Sequence, residues 1–167
     1  MSEASDSKTG RTMFIIAWLI FFILLFLFFR YYTAEDKGSY QVKQGVVTIK
    51  ADENGHYHIN GFINDHPVKF LVDTGASLIA IPQKLARQLN LSGRYNVTLE
   101  TANGSVTGSL TRLKKLSFAA FVLNDVKAVI IPGSDDELVL LGMNVLSKFN
   151  LSQKNKELVI QPNKAAD

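Results

Sequence analysis

Residues 70–82, FLVDTGASLIAIP, place a single acidic residue, Asp73, at the end of an apolar run. Burying an ionised carboxylate is costly unless it is paired or hydrogen-bonded, so packing alone does not explain an aspartate at this position. The next residues offer partners, because Thr74 and Ser77 carry hydroxyl groups and the small residues between them let backbone N–H groups approach. The alternative is a strand ending in an Asx-turn, in which Asp73 only hydrogen-bonds nearby backbone.

The length and composition of the chain favour one modest domain with an appendage. Single cores typically occupy roughly 100–150 residues, and the chain has 167 residues. Its net charge of +3 comes from scattered Lys and Arg residues without a block of like charges, which gives nucleic-acid binding little support. The absence of cysteine excludes disulfides and thiolate metal sites.

The appendage is an apolar segment near the N-terminus. Residues 13–29, MFIIAWLIFFILLFLFF, carry no charge, and Arg30 can snorkel to the interface, so residues 13–30 are predicted to form a transmembrane anchor. A cleaved signal peptide is the competing interpretation, but the nearest cleavage site, at residues 32–34, begins with a bulky tyrosine. Basic residues flank both sides, so charge does not set the orientation.

The residue pattern of the rest of the chain predicts a β-rich domain. We expect an N-terminal tail at 1–12, the anchor at 13–30, a linker at 31–44, the domain at 45–162 and a C-terminal tail at 163–167. Within the domain, β-type runs are predicted at 45–51, 56–63, 67–73, 126–132, 137–142 and 156–162, with a hairpin at 95–113 and short helices after Pro82 and at 143–149. The strongest turn signal is Asn103-Gly104 in the hairpin.

Three segments together, FLVDTGAS, ETANGSVTG and LVLLGMNVLSKF, resemble the retropepsin-like aspartic proteases, the single-domain relatives of pepsin and of the retroviral proteases. The resemblance implies an all-β, closed β-barrel domain with one or two short helices. It also implies that Asp73 is catalytic, within an active-site loop completed by Thr74, Gly75, Ala76 and Ser77. A flap would be tipped by Thr101, Ala102, Asn103 and Gly104, and Leu140, Leu141 and Gly142 would pack behind the loop.

The chain contains one such motif, but the chemistry needs two facing carboxylates that share a proton, because like charges about 3 Å apart cannot both ionise. Asp125 and the acidic run 135–137 lack the apolar lead-in and the following glycine. A twofold homodimer would supply the second Asp73, with Thr74 contacting the partner's loop. The expected activity is therefore that of an aspartic endopeptidase acting on proteins or peptides, without a cofactor or a metal.

Together with its N-terminal helix, the sequence looks most like the membrane-anchored bacterial members of the family, which implies an inner-membrane protein with a periplasmic domain. Two alternatives keep the membrane tether but not the activity: an inactive binding or dimerisation module of the same fold, and a scaffold with an unrelated β-domain. His56 and His58 share a strand face, but the sequence indicates no third metal ligand nearby, so a solvated face is favoured there.

Overall fold

The computed structural model describes residues 6–32, 40–43, 45–101, 104–133 and 137–163. The chain forms two compact units, Met1–Lys37 and Gly38–Asp167. The predicted flap residues Ala102 and Asn103, the acidic positions 135–136, most of the predicted linker and most of the C-terminal tail lie outside the described residues.

The first unit contains the helix α1, Asp6–Tyr32. At 1.5 Å per residue its 27 residues extend about 40 Å, which exceeds the hydrocarbon thickness of a bilayer. The window Thr12–Phe29 has a mean hydropathy of 2.9 and none of it is buried, whereas the core helix of a soluble protein would be mostly buried. The helix is thus compatible with a single membrane pass and equally with a signal sequence.

The described part of the second unit is built mainly from strands, with two short helices. Its elements are β1 Tyr40–Lys43, β2 Val46–Lys50, β3 His58–Ile63, β4 His66–Val72, β5 Ile79–Pro82, α2 Gln83–Gln88, β6 Tyr95–Thr101, β7 Gly104–Phe118, β8 Phe121–Ile131, β9 Leu138–Leu141, α3 Met143–Leu146, β10 Phe149–Lys154 and β11 Glu157–Pro162. This confirms the mostly β fold with short helices that the sequence predicts.

The strands form two sheets, and the larger one closes on itself. Its order is β3-β4-β9-β5-β8-β7-β6, and β3 pairs additionally with β7, so six strands complete a ring. Most neighbours are antiparallel, but β9 lies parallel to β4, and β5 lies parallel to β8. The smaller sheet has the order β1-β2-β11-β10.

Alternating apolar residues explain how both sheets share one core. In β2 the buried residues are Val47 and Ile49, and in β11 they are Leu158 and Ile160, with more exposed residues between them. This period of two is typical of strands with one buried face. By contrast, all four residues of β5 are buried, because this strand has a neighbour on each side, β9 and β8, and also contacts both short helices, α2 and α3.

Two strands were not anticipated from the sequence. Tyr40–Lys43 pairs with β2 as β1, although it falls in the segment expected to be a linker. β10 pairs with β11 over six residues, but its polar residues gave no strand signal. The short helix expected at 143–149 ends earlier, at Leu146, and its last predicted residue, Phe149, begins β10.

Candidate active site

Asp73 lies where β4 ends beside a parallel strand. Val72 is opposite Leu141 of β9, and the backbone N–H of Asp73 donates a hydrogen bond to Leu141 O at 3.1 Å. Leu141 is fully buried, whereas Asp73 is half-buried. The apolar run before Asp73 therefore anchors the strand in the core and leaves the carboxylate where the core meets solvent.

A tight turn after Asp73 orients its carboxylate. The Gly75 N–H donates to Asp73 Oδ1 at 2.8 Å, and the Ala76 N–H donates to the Asp73 carbonyl oxygen at 3.3 Å. Thr74 and Ser77 are exposed, and their hydroxyl groups form no hydrogen bond with Asp73 among the described residues, contrary to what the sequence suggested. Asp73 Oδ2 likewise accepts none there, so one oxygen is fixed by the chain and the other is open to a further partner.

Gly142, the last residue of the predicted supporting segment Leu140–Gly142, lies directly against this turn. A Cβ on Gly142 would lie 2.3 Å from Leu78 O and 2.8 Å from Ala76 O, closer than any side chain tolerates. The next residue reinforces the contact, since the Met143 N–H donates to Ala76 O at 2.7 Å. Only glycine lets β9 and the start of α3 approach the turn this closely.

Asn144 is a supporting residue that the sequence analysis did not identify. Its Oδ1 accepts a hydrogen bond from the Ile79 N–H at 3.1 Å, and its Nδ2 donates to Lys127 O at 2.8 Å. Its own N–H donates to Ser77 O at 3.1 Å. The Asn144 side chain thus joins α3 to β5 and β8. The sequence feature that could have indicated this role is the presence of a polar residue in the apolar stretch LLGMNVL.

The predicted flap corresponds to the hairpin of β6 and β7. Thr101 pairs with Gly104 at its described end, and Thr101 Oγ1 donates to Gly104 O at 2.7 Å. Gly104 has a φ of 106° with open space around its Cα, a conformation that favours glycine. Below the tip, the Ser105 hydroxyl lies 2.7 Å from Glu100 Oε1. The two central tip residues, Ala102 and Asn103, are outside the described part of the chain.

The other acidic residues behave as surface charges where they are described. Arg112 forms an ion pair with Asp125, whose side chain is 73% exposed, and Lys84 lies 3.4 Å from Glu137. Among the described residues no second carboxyl group is hydrogen-bonded to Asp73. A cleft of about 550 Å³ lies elsewhere, between the Leu89–Arg94 segment and β7, and no residue of the Asp73 turn lines it.

A ring of strands with a parallel β4–β9 pair, an Asp-Thr-Gly turn at the end of β4 and a glycine packed behind that turn define a retropepsin-like aspartic protease fold. The sequence matches the family described as "gag-polyprotein putative aspartyl protease" over residues 59–148. This match spans more than half of the chain and contains both the turn and the segment behind it. The chain therefore belongs to this family of aspartyl proteases.

Individual proteins agree with this assignment. A crystal structure of a retropepsin-like aspartic protease from Rickettsia conorii superimposes with a TM-score of 0.61 at 29% identity, covering 72% of this chain and 93% of that one. An uncharacterized protein of Rickettsia prowazekii (strain Madrid E) is 34% identical over 126 residues, which is 73% of this chain and 53% of that protein. An uncharacterized protein encoded in the cobV 5′ region of Sinorhizobium sp. is 28% identical over 113 residues, 66% of this chain and 48% of that protein. The chain thus spans about half the length of these two relatives.

Proposed function

We propose that this chain is an aspartic endopeptidase whose active site forms between two copies, each contributing Asp73. The main support for the proposal is the hydrogen bonding of the Asp73 carboxylate. Oδ1 is oriented by the Gly75 N–H at 2.8 Å, while Oδ2 accepts no hydrogen bond from the described residues. A half-buried carboxylate held in this way is suited to meet a second carboxylate across a twofold axis.

In the proposed dimer the two Asp73 carboxyl groups hold one proton between them, because two ionised groups at this distance would repel strongly. The ionised carboxylate removes a proton from a water molecule, whose oxygen attacks the peptide carbonyl carbon. The protonated carboxyl group gives its proton to the carbonyl oxygen, so a neutral tetrahedral intermediate forms. Transfer of a proton to the amide nitrogen then allows the C–N bond to break and releases an acid and an amine.

The turn around Asp73 supports this role through the residues that hold it. Hydrogen bonds from Met143 and Asn144 fix the carbonyl oxygens of Ala76 and Ser77 at 2.7 and 3.1 Å, so the catalytic carboxylate is positioned by backbone rather than by flexible side chains. Thr74 is exposed and is the residue proposed to contact the partner's loop. The hairpin ending at Thr101 and Gly104 is the proposed flap over the substrate.

The membrane anchor is the second part of the proposal. The exposed apolar window Thr12–Phe29 supports a single membrane pass. The resemblance to the membrane-anchored bacterial members of the family is the reason for proposing that the catalytic domain lies on the periplasmic side of a bacterial inner membrane. A membrane holds both copies in two dimensions and raises their effective concentration, which favours a weak dimer.

The proposal is tested by comparing the full-length chain in detergent with its Asp73→Asn variant, which keeps the Oδ1 acceptor and loses the charge. The readout is cleavage of a denatured protein at mildly acidic pH, with and without a statine-type transition-state mimic. The wild type should cleave, the mimic should inhibit it, and the variant should be folded and inactive. An Asp125→Asn variant, which removes a surface carboxylate, should retain full activity. Cleavage by the Asp73→Asn variant contradicts the assignment, and a folded but inactive wild type favours a binding module instead.

A further inference from the structure

Three side chains that can bind metals lie together at the start of β3. They are Asp52, His56 and His58, and one ligand atom from each lies within 4.8 Å of the others. Asp52 comes from the turn that precedes the strand, so sequence spacing alone does not indicate that it lies beside the two histidines. The third ligand that the sequence analysis did not find is therefore present.

The carboxylate of Asp52 is oriented by the backbone of its own turn. Its Oδ1 accepts hydrogen bonds from the Asn54 N–H at 2.9 Å and from the His56 N–H at 2.8 Å. Because these two hydrogen bonds hold Oδ1, the other carboxylate oxygen, Oδ2, faces the two histidine rings.

His58 has an unsatisfied ring nitrogen. Its Nε2 lies 3.1 Å from Asp52 Oδ2, and its Nδ1 is buried without a hydrogen-bond partner among the described residues. If the proton is on Nε2, the bond to Asp52 forms and Nδ1 is a buried acceptor without a donor. If the proton is on Nδ1, the Nε2 lone pair faces the carboxylate oxygen, and either a second ring proton or a metal ion between the two atoms relieves the repulsion.

The two distances from Asp52 Oδ2 to the histidine nitrogens are close to those around a small divalent cation. Ligands of a tetrahedral zinc ion with bonds of about 2.0–2.1 Å lie about 3.3 Å apart. The Asp52 Oδ2–His58 Nε2 distance is 3.1 Å and the Asp52 Oδ2–His56 Nδ1 distance is 3.8 Å, and all three ligand atoms lie within 4.8 Å of one another. The His56 side chain is 58% exposed, so its ring can turn toward the other two ligands without disturbing the core.

We propose that Asp52, His56 and His58 form a binding site for Zn²⁺ or a chemically similar divalent transition-metal ion. Two imidazole nitrogens and one carboxylate oxygen favour such ions over Mg²⁺ and Ca²⁺, which prefer oxygen ligands. Three protein ligands leave a fourth tetrahedral position for water. The site uses two of the chain's three histidines.

The location of this site gives the bound ion a structural role. His58 pairs with Leu71 of β4, and the Val72 N–H donates to Tyr57 O at 2.9 Å. An ion that joins the Asp52 turn to His58 therefore stabilises the strand next to the one that ends at Asp73. This role is independent of whether the chain cleaves peptides.

The test is a titration of the untagged full-length chain in detergent with Zn²⁺ against a chromophoric chelator. The matched control is His66→Ala, which removes the histidine outside the cluster and should bind as the wild type does. We expect one Zn²⁺ per chain with micromolar affinity or better, and a loss of at least tenfold in the His56→Ala and Asp52→Asn variants. Mg²⁺ should not compete with Zn²⁺ for this site. Both variants should remain folded, because His56 is exposed and asparagine retains the acceptor that Asp52 uses in its turn.

A second measurement separates binding at the cluster from binding elsewhere. Zn²⁺ should raise the unfolding temperature of the wild type and of His66→Ala, because an ion that binds only the folded state stabilises it. It should leave the unfolding temperature of His56→Ala unchanged. Equal Zn²⁺ affinity of His56→Ala and wild type, or no saturable binding in the micromolar range, overturns the proposal.

Discussion

Gly142 and Leu78 are in closer contact than any other residue type at position 142 would allow, since an added Cβ would lie 2.3 Å from Leu78 O. A Gly142→Ala variant must displace the Asp73 turn or β9. We expect it to lower the free energy of unfolding by about 1–3 kcal/mol, as overpacking does, and to abolish cleavage. Urea unfolding and a peptide cleavage assay measure the two effects.

The control for this variant is Gly133→Ala. Gly133 has a positive φ of 83° but open space around it. An alanine there lowers the free energy of unfolding only through its unfavourable backbone conformation, by about 1–2 kcal/mol. The Gly133→Ala variant should keep its activity. Similar losses of activity in both variants would contradict a specific contact between Gly142 and the turn.

Asn144 should be important for stability although it does not contact substrate. An Asn144→Ala substitution leaves the Ile79 N–H and Lys127 O without the partners found at 3.1 and 2.8 Å. We expect a loss of about 1–2 kcal/mol in the free energy of unfolding, because the N–H of the buried residue Ile79 loses its acceptor. Asn124→Ala, at an exposed position of β8, is the matched control, and an equal effect of the two substitutions would refute this role.

Mixing two kinds of chain tests whether the active site is shared. When wild-type and Asp73→Asn chains are co-expressed in equal amounts, random pairing gives about one quarter wild-type dimers. Activity per total chain should therefore fall to about one quarter of the wild-type value. A fall to one half indicates that each chain works alone, and would remove the need for a dimer.

Removing the N-terminal unit should weaken association without unfolding the second unit, because residues 38–167 form a compact unit of their own. A chain that lacks residues 1–37 should be monomeric on dilution, as seen by sedimentation, and its specific activity should rise with concentration. The full-length chain in vesicles should keep its activity on dilution. A truncated monomer with full activity would contradict both expectations.

The stability of the domain should also depend on Asp52 at low pH. The folded pKa of Asp52 lies below its ordinary value of 3.8, mainly because of the His56 N–H. A group with a depressed folded pKa contributes stability above its unfolded pKa and loses that contribution as the pH falls through the folded value. In EDTA, the difference in unfolding free energy between wild type and Asp52→Asn should shrink below about pH 3.8. A difference that stays constant with pH would show that the charge of Asp52 does not contribute.

Structural elements that depend on residues close together in the chain could be predicted from the sequence. The apolar run before Asp73 and the hairpin around residues 101–104 depend on local patterns, and both elements are found where they were expected. β10 was not anticipated, because only Phe149 and Leu151 are partly buried there and its pairing with β11 supplies the rest of its stability.

Contacts between distant parts of the chain could not be predicted in the same way. The partners of Asn144 are the backbone groups of Ile79 and Lys127, which belong to separate strands. Asp52 lies close to His58 because the chain turns after Asp52, and two backbone N–H groups of that turn donate hydrogen bonds to the Asp52 carboxylate. Sequence spacing contains no information on either approach, so the resemblance to a known family indicated the candidate site at Asp73 but not these contacts.

The hydrogen bond between the Asp73 N–H and Leu141 O also determines when the Asp73 turn can be completed. These residues lie about 70 positions apart, and such non-local contacts form late because a long loop must close first. During synthesis Asp73 leaves the ribosome well before β9 exists to hold it. A nascent chain that ends before Leu141 would contain the complete Asp-Thr-Gly motif and still lack the contacts from Leu141, Gly142 and Met143 that hold the turn.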